Sequence, residues 1–149
     1  MGTKQPVSVL VIIHTQALDV LLLERAGFPD GWQSVTGSRE ANETLWQTAL
    51  REIQEETGLT PAAPQLADWG LCTRFEIWER WRDRYPPGVT HNTEHVFGLQ
   101  LPERAVIRLS PTEHSRHLWL PWQQAADKVF SPSNAQAIRL LPILGEVSE

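Results

Sequence analysis

The stretch GSREANETLWQTALREIQEETGL, residues 37–59, predicts a helix with three carboxylates on one side. Glu52, Glu55 and Glu56 are spaced i, i+3 and i+4, and this spacing places their side chains on one helical face. The opposite face carries an apolar stripe formed by Trp46, Ala49, Leu50 and Ile53. The stretch therefore predicts an amphipathic helix with one face in a core and an acidic cluster on the other.

Both ends of this helix carry recognisable capping signals. Thr44, followed by Gln47 three residues later, predicts a capping box at the start. Gly58 is the residue type expected in a left-handed conformation just after the last helical turn. The helix is therefore predicted to run from Thr44 to Thr57.

The acidic cluster is unfavourable for the helix itself. Like charges at i, i+4 cost roughly 0.2–0.5 kcal/mol per pair, and acids in a last turn oppose the helix dipole by roughly 0.3–1 kcal/mol each. One interpretation is a solvated acidic face. The other, which three glutamates at this end favour, is a bound divalent cation, and oxygen ligands suit Mg²⁺ or Mn²⁺.

The same stretch resembles the sequence motif of the Nudix family, the Nudix box. That motif is Gly, five residues, Glu, seven residues, then Arg-Glu-apolar-x-Glu-Glu-x-Gly-apolar. The matching residues are Gly37, Glu43, Arg51, Glu52, Ile53, Glu55, Glu56, Gly58 and Leu59. The match has no departures, and a chance match in one register is below roughly one in 10⁸ at typical residue frequencies.

The resemblance implies roles for these residues. Glu52 and Glu56 would be the principal metal ligands, and Glu55 a further or water-mediated ligand. Arg51 would pair with Glu43 and hold the preceding loop against the helix, while Gly37 would supply the tight backbone at the entry of that loop. Family members cleave a nucleoside diphosphate, or a related pyrophosphate, linked to another moiety. Their fold is an α/β/α sandwich with a mixed central sheet.

Composition limits the class of protein. The 149 residues are expected to form one domain, residues 1–149, and the net charge of −5 argues against general nucleic-acid binding. No run approaches the roughly 20 apolar residues of a membrane span. The single cysteine, Cys72, excludes an intrachain disulfide framework, favours a reducing, cytoplasmic compartment and is expected to be buried. The sequence indicates no oligomeric state.

Hydrophobic patterns predict strands before and after the central helix. The predicted strands are Val7–His14, Val20–Glu24, Trp32–Val35, Trp69–Trp81, His95–Leu101, Ala105–Leu109 and His117–Leu120. Further helices are predicted at Pro121–Val129 and Ser133–Leu141, the second capped by Ser133. Strands on both sides of one helix, with another helix at the end, predict an α/β fold with a mixed sheet between helices.

Several residues outside the central helix are further candidates for function. Glu113 lies in a predicted loop where Nudix enzymes often place an extra glutamate. It is either a functional residue, as a metal ligand or the general base, or a plain exposed acid. Glu55 is the other candidate for the general base. Trp78 either stacks on a flat heterocycle or belongs to the core. Three arginines alternate along the chain, Arg80, Arg82 and Arg84, and a strand would point them all in one direction. They would form either a row that faces phosphate or a charged edge of the sheet. No metal is expected at the histidine pairs His91/His95 and His114/His117.

The rest of the chain resembles one group of Nudix enzymes that act on triphosphates. The matching segments are Lys4 with 6–8, 32–37, 75–77, 84–85 with 87–90, 92–94, 112–114, and Ser131 with 133–134. This resemblance implies substrate contacts from Lys4, Arg25, Thr36, Phe75, Glu76, Ile77, Trp78 and Ser131, with Glu113 at the metal. Gln5 and Gly31 depart from the basic and aromatic residues expected at their positions.

The expected activity is Mg²⁺-dependent release of pyrophosphate from a small-molecule triphosphate, with Mn²⁺ as a substitute metal. The resemblance implies that the substrate is a pterin triphosphate. The alternatives are dATP or another nucleoside triphosphate, and a Nudix-fold binding module without turnover. Neither nucleic acid nor membrane is an expected partner.

Overall fold

In the computed structural model, which describes residues 2–145, one mixed sheet of seven strands lies between helices. The strands are β1 Val7–Thr15, β2 Asp19–Arg25, β3 Trp32–Gln33, β4 Val35–Ser38, β5 Leu66–Glu76, β6 His91–Leu101 and β7 His114–Pro121. The helices are α1 Leu45–Thr57, α2 Trp122–Lys128, α3 Pro132–Arg139 and α4 Leu141–Leu144, with 3₁₀ helices at Ala63–Gln65 and Glu79–Arg84.

Strand β1 is the centre of the sheet. It pairs antiparallel with β2 and β4 and parallel with β6, while β5 pairs antiparallel with β6, and β3 and β7 with β2. Successive side chains of a strand point to opposite faces, so the continuous apolar run of β1 contributes to two cores. The predicted α/β class with a mixed sheet between helices is confirmed.

Each face of the sheet carries its own hydrophobic core. On one face, Ala49 and Ile53 of α1 are fully buried against a cluster that includes Val9 and Phe97. On the other face, Leu10 belongs to a second cluster formed with α2, α3 and α4. The apolar stripe of α1 therefore fixes its acidic face at one end of the sheet.

Helix α1 forms as its sequence predicts. Thr44 accepts a hydrogen bond from the Gln47 amide, and the Gln47 side chain accepts one from the Thr44 amide, completing the capping box. Gly58 ends the helix with φ of 76°. Local signals therefore mark both ends of this helix.

The predicted strand Trp69–Trp81 is wrong beyond Glu76. The chain leaves the sheet at Ile77, whose side chain is buried and whose amide donates to the Thr90 carbonyl at 2.8 Å. Residues Glu79–Arg84 then form a 3₁₀ helix, stabilised by Arg82 Nε donating to the Ile77 carbonyl at 3.0 Å. The alternating arginine row therefore does not exist.

Two other predicted elements differ in detail. Residues 105–109 form no strand, although Ile107 packs against the core on the α1 side of the sheet. The cap of α3 is Ser131, and Pro132 occupies the first helical turn. Ser133 therefore lies inside the helix, where its hydroxyl is available for another contact.

Cys72 is exposed, against expectation. It lies on β5, which is hydrogen-bonded only to β6, and Arg74 and Glu76 on the same face of the strand are exposed as well. Both histidine pairs lie in strands: His91 and His95 in β6, and His114 and His117 in β7.

None of the helices formed within residues 2–145 has the length and apolar character required to cross a membrane.

Candidate active site

A large cleft of about 1310 Å³ opens at one end of the sheet. Its wall combines the start of the chain, β4, the acidic face of α1, the end of β5 and the first turn of α3. Twelve predicted site residues line it: Lys4, Arg25, Thr36, Gly37, Glu52, Glu56, Phe75, Glu76, Ile77, Trp78, Glu113 and Ser131. The fold thus gathers most of the predicted site in one cavity.

Two carboxylates of α1, Glu52 and Glu56, which we call the α1 carboxylate pair, are buried in the wall of the cleft. They are 8% and 1% exposed. Neither carboxylate oxygen of Glu56 has a hydrogen-bond partner among the described residues, and His114 Nε2 lies 3.7 Å from its Oε1. Burial raises the pKa of Glu56 well above its ordinary value, and the carboxylates of Glu52 and Glu113 raise it further. Burial raises the pKa of Glu52 too, against the opposing effect of Arg51.

Arg51 holds the loop before α1 against the helix. Its Nε lies 2.8 Å from Glu43 Oε2, and its Nη2 donates to the Ser38 carbonyl at 2.9 Å. Its Nη1 lies 2.6 Å from Glu52 and 3.0 Å from Glu55. The expected ion pair between Arg51 and Glu43 is present, and the same guanidinium orients one member of the α1 carboxylate pair.

Gly37 allows β4 to approach the carboxylate of Glu52 closely. A Cβ atom at this position would collide with that carboxylate. Glycine is therefore required here by close approach.

Three basic side chains line the same cleft as the α1 carboxylate pair. They are Lys4, Arg25 and Arg84. Burial lowers the pKa of Lys4, and the positive charges of Arg84 and Arg25 lower it further. The Lys4 amide donates to the Arg84 carbonyl at 3.1 Å, which ties the start of the chain to the 3₁₀ helix. Such a concentration of positive charge suits a polyphosphate.

Aromatic rings form the rim of the cleft. Trp78 is 44% exposed and stacks on Trp81, with ring centroids 5.1 Å apart and an angle of 9° between the planes. Phe130 packs edge-on against both rings, and the Arg25 guanidinium lies 4.6 Å from the Trp81 ring centroid. Trp78 is thus accessible rather than buried in a core.

The cleft also holds a polar patch that the sequence analysis did not assign to a site. Asn92 and Glu94 lie two residues apart on β6, so they share one face of the strand, and Ser133 of α3 donates to Glu94 Oε1 at 3.0 Å. We call these residues the β6 polar patch. The sequence did contain a signal for this patch. Glu94 stands two positions before the buried Val96, so a charged residue occupies the strand face that packs into the protein.

Some predicted site residues do not face the cleft. Glu55, Arg51, Glu43 and Gly58 are absent from its wall, and the Glu55 side chain is 48% exposed. Two other predicted contacts line the wall but are already hydrogen-bonded or ion-paired within the protein. The Thr36 hydroxyl donates to a backbone carbonyl at 2.9 Å, and Glu76 lies 3.3 Å from Arg82.

The α1 carboxylate pair fits a divalent cation. Within residues 2–145, no group of three or more acidic, histidine or cysteine side chains is already gathered around one point. Glu56 nevertheless presents two buried oxygens without hydrogen-bond partners among the described residues, and a bound cation would offset the cost of burying its charge. Hard cations prefer such oxygens, and Mg²⁺ commonly completes its coordination with water and substrate phosphate.

Comparison with known proteins defines the class. The profile of the NUDIX domain matches residues 4–141, and the chain therefore belongs to the Nudix family of hydrolases. It is 48% identical over 139 residues to the dihydroneopterin triphosphate diphosphatase of Escherichia coli K12, covering 91% of each chain. It is 38% identical over 142 residues to the Haemophilus influenzae enzyme of the same name, covering 93% of this chain and 89% of that protein.

Solved structures give the same result for the fold. The structure of the Escherichia coli dihydroneopterin triphosphate pyrophosphohydrolase superposes with a TM-score of 0.87, over 98% of this chain and 99% of that chain, at 43% identity. A Listeria monocytogenes Nudix hydrolase structure superposes with a TM-score of 0.76 at 24% identity. The predicted Nudix fold is confirmed.

Proposed function

We propose that this protein is a Mg²⁺-dependent pyrophosphohydrolase that converts dihydroneopterin triphosphate to dihydroneopterin monophosphate and pyrophosphate. One observation carries the proposal: the α1 carboxylate pair shares with Lys4 and Arg25 a single cleft large enough for a triphosphate joined to a bicyclic ring. The two similar bacterial enzymes, named for this substrate, support it.

Glu52 and Glu56 are the residues that would hold the metal, with Glu113 as a further ligand or as the general base. Bound there, Mg²⁺ would neutralise phosphate charge and make water a better nucleophile near neutral pH. Arg51 positions Glu52 for this task, and Gly37 leaves room for its carboxylate.

Lys4, Arg25 and Arg84 would bind the triphosphate. They line the same cleft as the α1 carboxylate pair, and the charge of Glu56 acts on both Lys4 and Arg25, so one phosphate chain would contact both groups. Arg25 is held by its contact with Trp81 and by a 3.4 Å hydrogen bond to Gln33. A restrained guanidinium loses less conformational entropy when it binds phosphate.

Glu113 is the better candidate for the general base. It lines the cleft, and its charge acts on Glu56. Glu55 lies outside the cleft and is paired with Arg51. A base must reach the proton that it removes, directly or through one water, and this requirement favours Glu113.

The dihydropterin ring would occupy the part of the cleft formed by the last residues of β5 and the first residues of β6. Phe75, Ile77 and Trp78 supply apolar and aromatic surface there, and Ser131 supplies a hydroxyl. Flat heterocycles stack on such aromatic rings.

The test is a comparison of substrates with product identification. We expect Mg²⁺-dependent release of pyrophosphate, rather than phosphate, from dihydroneopterin triphosphate, with a higher kcat/KM than for dATP. A higher kcat/KM for dATP would reject the pterin substrate but keep the reaction. No turnover of either compound would leave a Nudix-fold binding module instead.

A further inference from the structure

Glu94 is a buried carboxylate that lines the cleft from β6 rather than from α1. It is 6% exposed and lines the cavity beside Asn92 and Ser133. The Ser133 hydroxyl donates to its Oε1 at 3.0 Å, while no donor within residues 2–145 is hydrogen-bonded to Oε2. One face of this carboxylate is therefore available to a ligand.

Glu94 has no counter-ion to justify its burial. No arginine, lysine or histidine among residues 2–145 is paired with it, and burial raises its pKa to about 7, with Ser133 opposing the shift. A carboxylate that needed only to be solvated would lie at the surface, since burial without full hydrogen bonding is costly. A ligand that brings two donors would remove much of this cost.

The neighbouring Asn92 is a second unsatisfied acceptor. Its Nδ2 donates to the Ser8 hydroxyl at 2.7 Å, and its buried Oδ1 has no partner among the described residues. Thr73 of β5 lies opposite Glu94 and also lines the cleft. The β6 polar patch thus presents two acceptor oxygens, Glu94 Oε2 and Asn92 Oδ1, that receive no hydrogen bond from the described residues.

We propose that Glu94 determines specificity by accepting two hydrogen bonds from the amino-lactam edge of the substrate ring, its N3–H and 2-amino groups. This inference rests on the proposed function and deepens it. The two donors lie side by side on a dihydropterin and on guanine, and they match the two oxygens of one carboxylate. Adenine presents a donor beside an acceptor, so its ring nitrogen would face a carboxylate oxygen.

The decisive variant is Glu94→Gln, which keeps the shape of the side chain but replaces one acceptor with a donor. We expect kcat/KM for dihydroneopterin triphosphate to fall about 10- to 100-fold, the usual worth of a charged hydrogen bond. The kcat/KM for dATP should stay the same or rise, because the Gln amide offers an N–H donor to the adenine ring nitrogen, and dGTP should lose activity like the pterin. Equal losses on all three triphosphates, or no loss on any, would overturn the proposal.

A binding measurement separates this inference from the proposed reaction. Neopterin, which lacks phosphate, should bind the parent protein without Mg²⁺, and Glu94→Gln should weaken this binding about 10-fold or more. Undiminished neopterin binding in the variant would reject the role of Glu94 even if hydrolysis is confirmed. Weakened binding together with absent hydrolysis would keep the role of Glu94 and reject the reaction.

Two further variants control for folding. Glu79→Gln changes an exposed glutamate outside the cleft and should leave substrate preference and neopterin binding unchanged. Ser133→Ala removes the donor to Oε1 and leaves the carboxylate in place. If Glu94→Gln does not fold, Ser133→Ala replaces it: a preferential change in pterin and dGTP kinetics over dATP supports the proposal, and an equal change on all three rejects it.

Discussion

The two polar regions of the cleft contain the same chemical group in different surroundings. In the α1 carboxylate pair, Glu56 faces another carboxylate and has no hydrogen-bond partner among the described residues. In the β6 polar patch, Glu94 accepts a hydrogen bond from a serine hydroxyl and shares its strand face with the amide of Asn92. Burial raises the pKa in both places.

This difference separates two kinds of buried acid. Two carboxylates side by side concentrate negative charge, which a divalent cation neutralises more effectively than neutral donors do. A single carboxylate beside neutral polar groups is suited to paired N–H donors of a ring. The neighbours of an acid, more than its burial, therefore indicate what it binds.

The largest effect is expected at the α1 carboxylate pair. Glu56→Gln should lower the rate of Mg²⁺-dependent pyrophosphate release by about 10³-fold, because it removes a metal-holding charge worth several kcal/mol. The melting temperature should be unchanged or higher, since one buried like charge is lost. Initial rates measure the activity and thermal unfolding measures the melting temperature. Glu79→Gln is the control for both measurements. Full activity in Glu56→Gln would falsify the assigned role.

The second effect concerns the general base. Glu113→Gln should lower kcat by about 10²-fold or more, whereas Glu55→Gln should lower it by less than about 10-fold. The reason is that Glu113 lines the cleft and Glu55 does not. Steady-state kinetics on matched variants distinguish them, and the reverse order of losses would transfer the base role to Glu55.

The third effect is a pH dependence that belongs to the β6 polar patch. The pKa of Glu94 is raised from 4.5 to about 7, so the folded protein holds a proton that the unfolded chain releases. Stability is therefore lost as pH rises from about 4.5 to 7. At roughly 1.4 kcal/mol per pKa unit the loss is about 3 kcal/mol.

The corresponding measurement is urea unfolding of the parent and of Glu94→Gln. The variant should be the more stable protein at about pH 8, and its advantage should shrink as the pH falls towards about 4.5. Glu79→Gln should show no such dependence. A constant difference between parent and Glu94→Gln across this range would contradict the assignment.

The smallest effect tests whether the stability of the start of α1 influences catalysis by the glutamates further along the helix. Thr44→Ala removes the capping hydrogen bond and should cost about 1 kcal/mol of unfolding free energy. The rate of pyrophosphate release should stay unchanged, because Thr44 does not line the cleft. Unfolding curves and initial rates check both expectations, and a large loss of activity would show that the helix start and the site are coupled.

The sequence predicts the α1 region well because its determinants are local. The capping box, the apolar stripe and Gly58 all act within a few residues of each other, so their pattern survives without tertiary information. The ion pair of Arg51 with Glu43 spans only eight residues and was also anticipated.

The rest of the site depends on contacts that the sequence pattern does not display. The strand prediction failed after Glu76 because burial of Ile77 and its hydrogen bond to Thr90 redirect the chain. The role proposed for Glu94 depends on Ser133, which lies 39 residues further along the chain. Only the folded sheet and α3 bring the two together.

The stacked pair of Trp78 and Trp81 gives the molecule an optical reporter at the mouth of its cleft. Parallel indoles at 5.1 Å couple their electronic transitions, so circular dichroism in the ultraviolet should carry a signature of this one pair among seven tryptophans. A flat ring arriving beside Trp78 would disturb that signature and its fluorescence, so ligand entry becomes observable without any added dye.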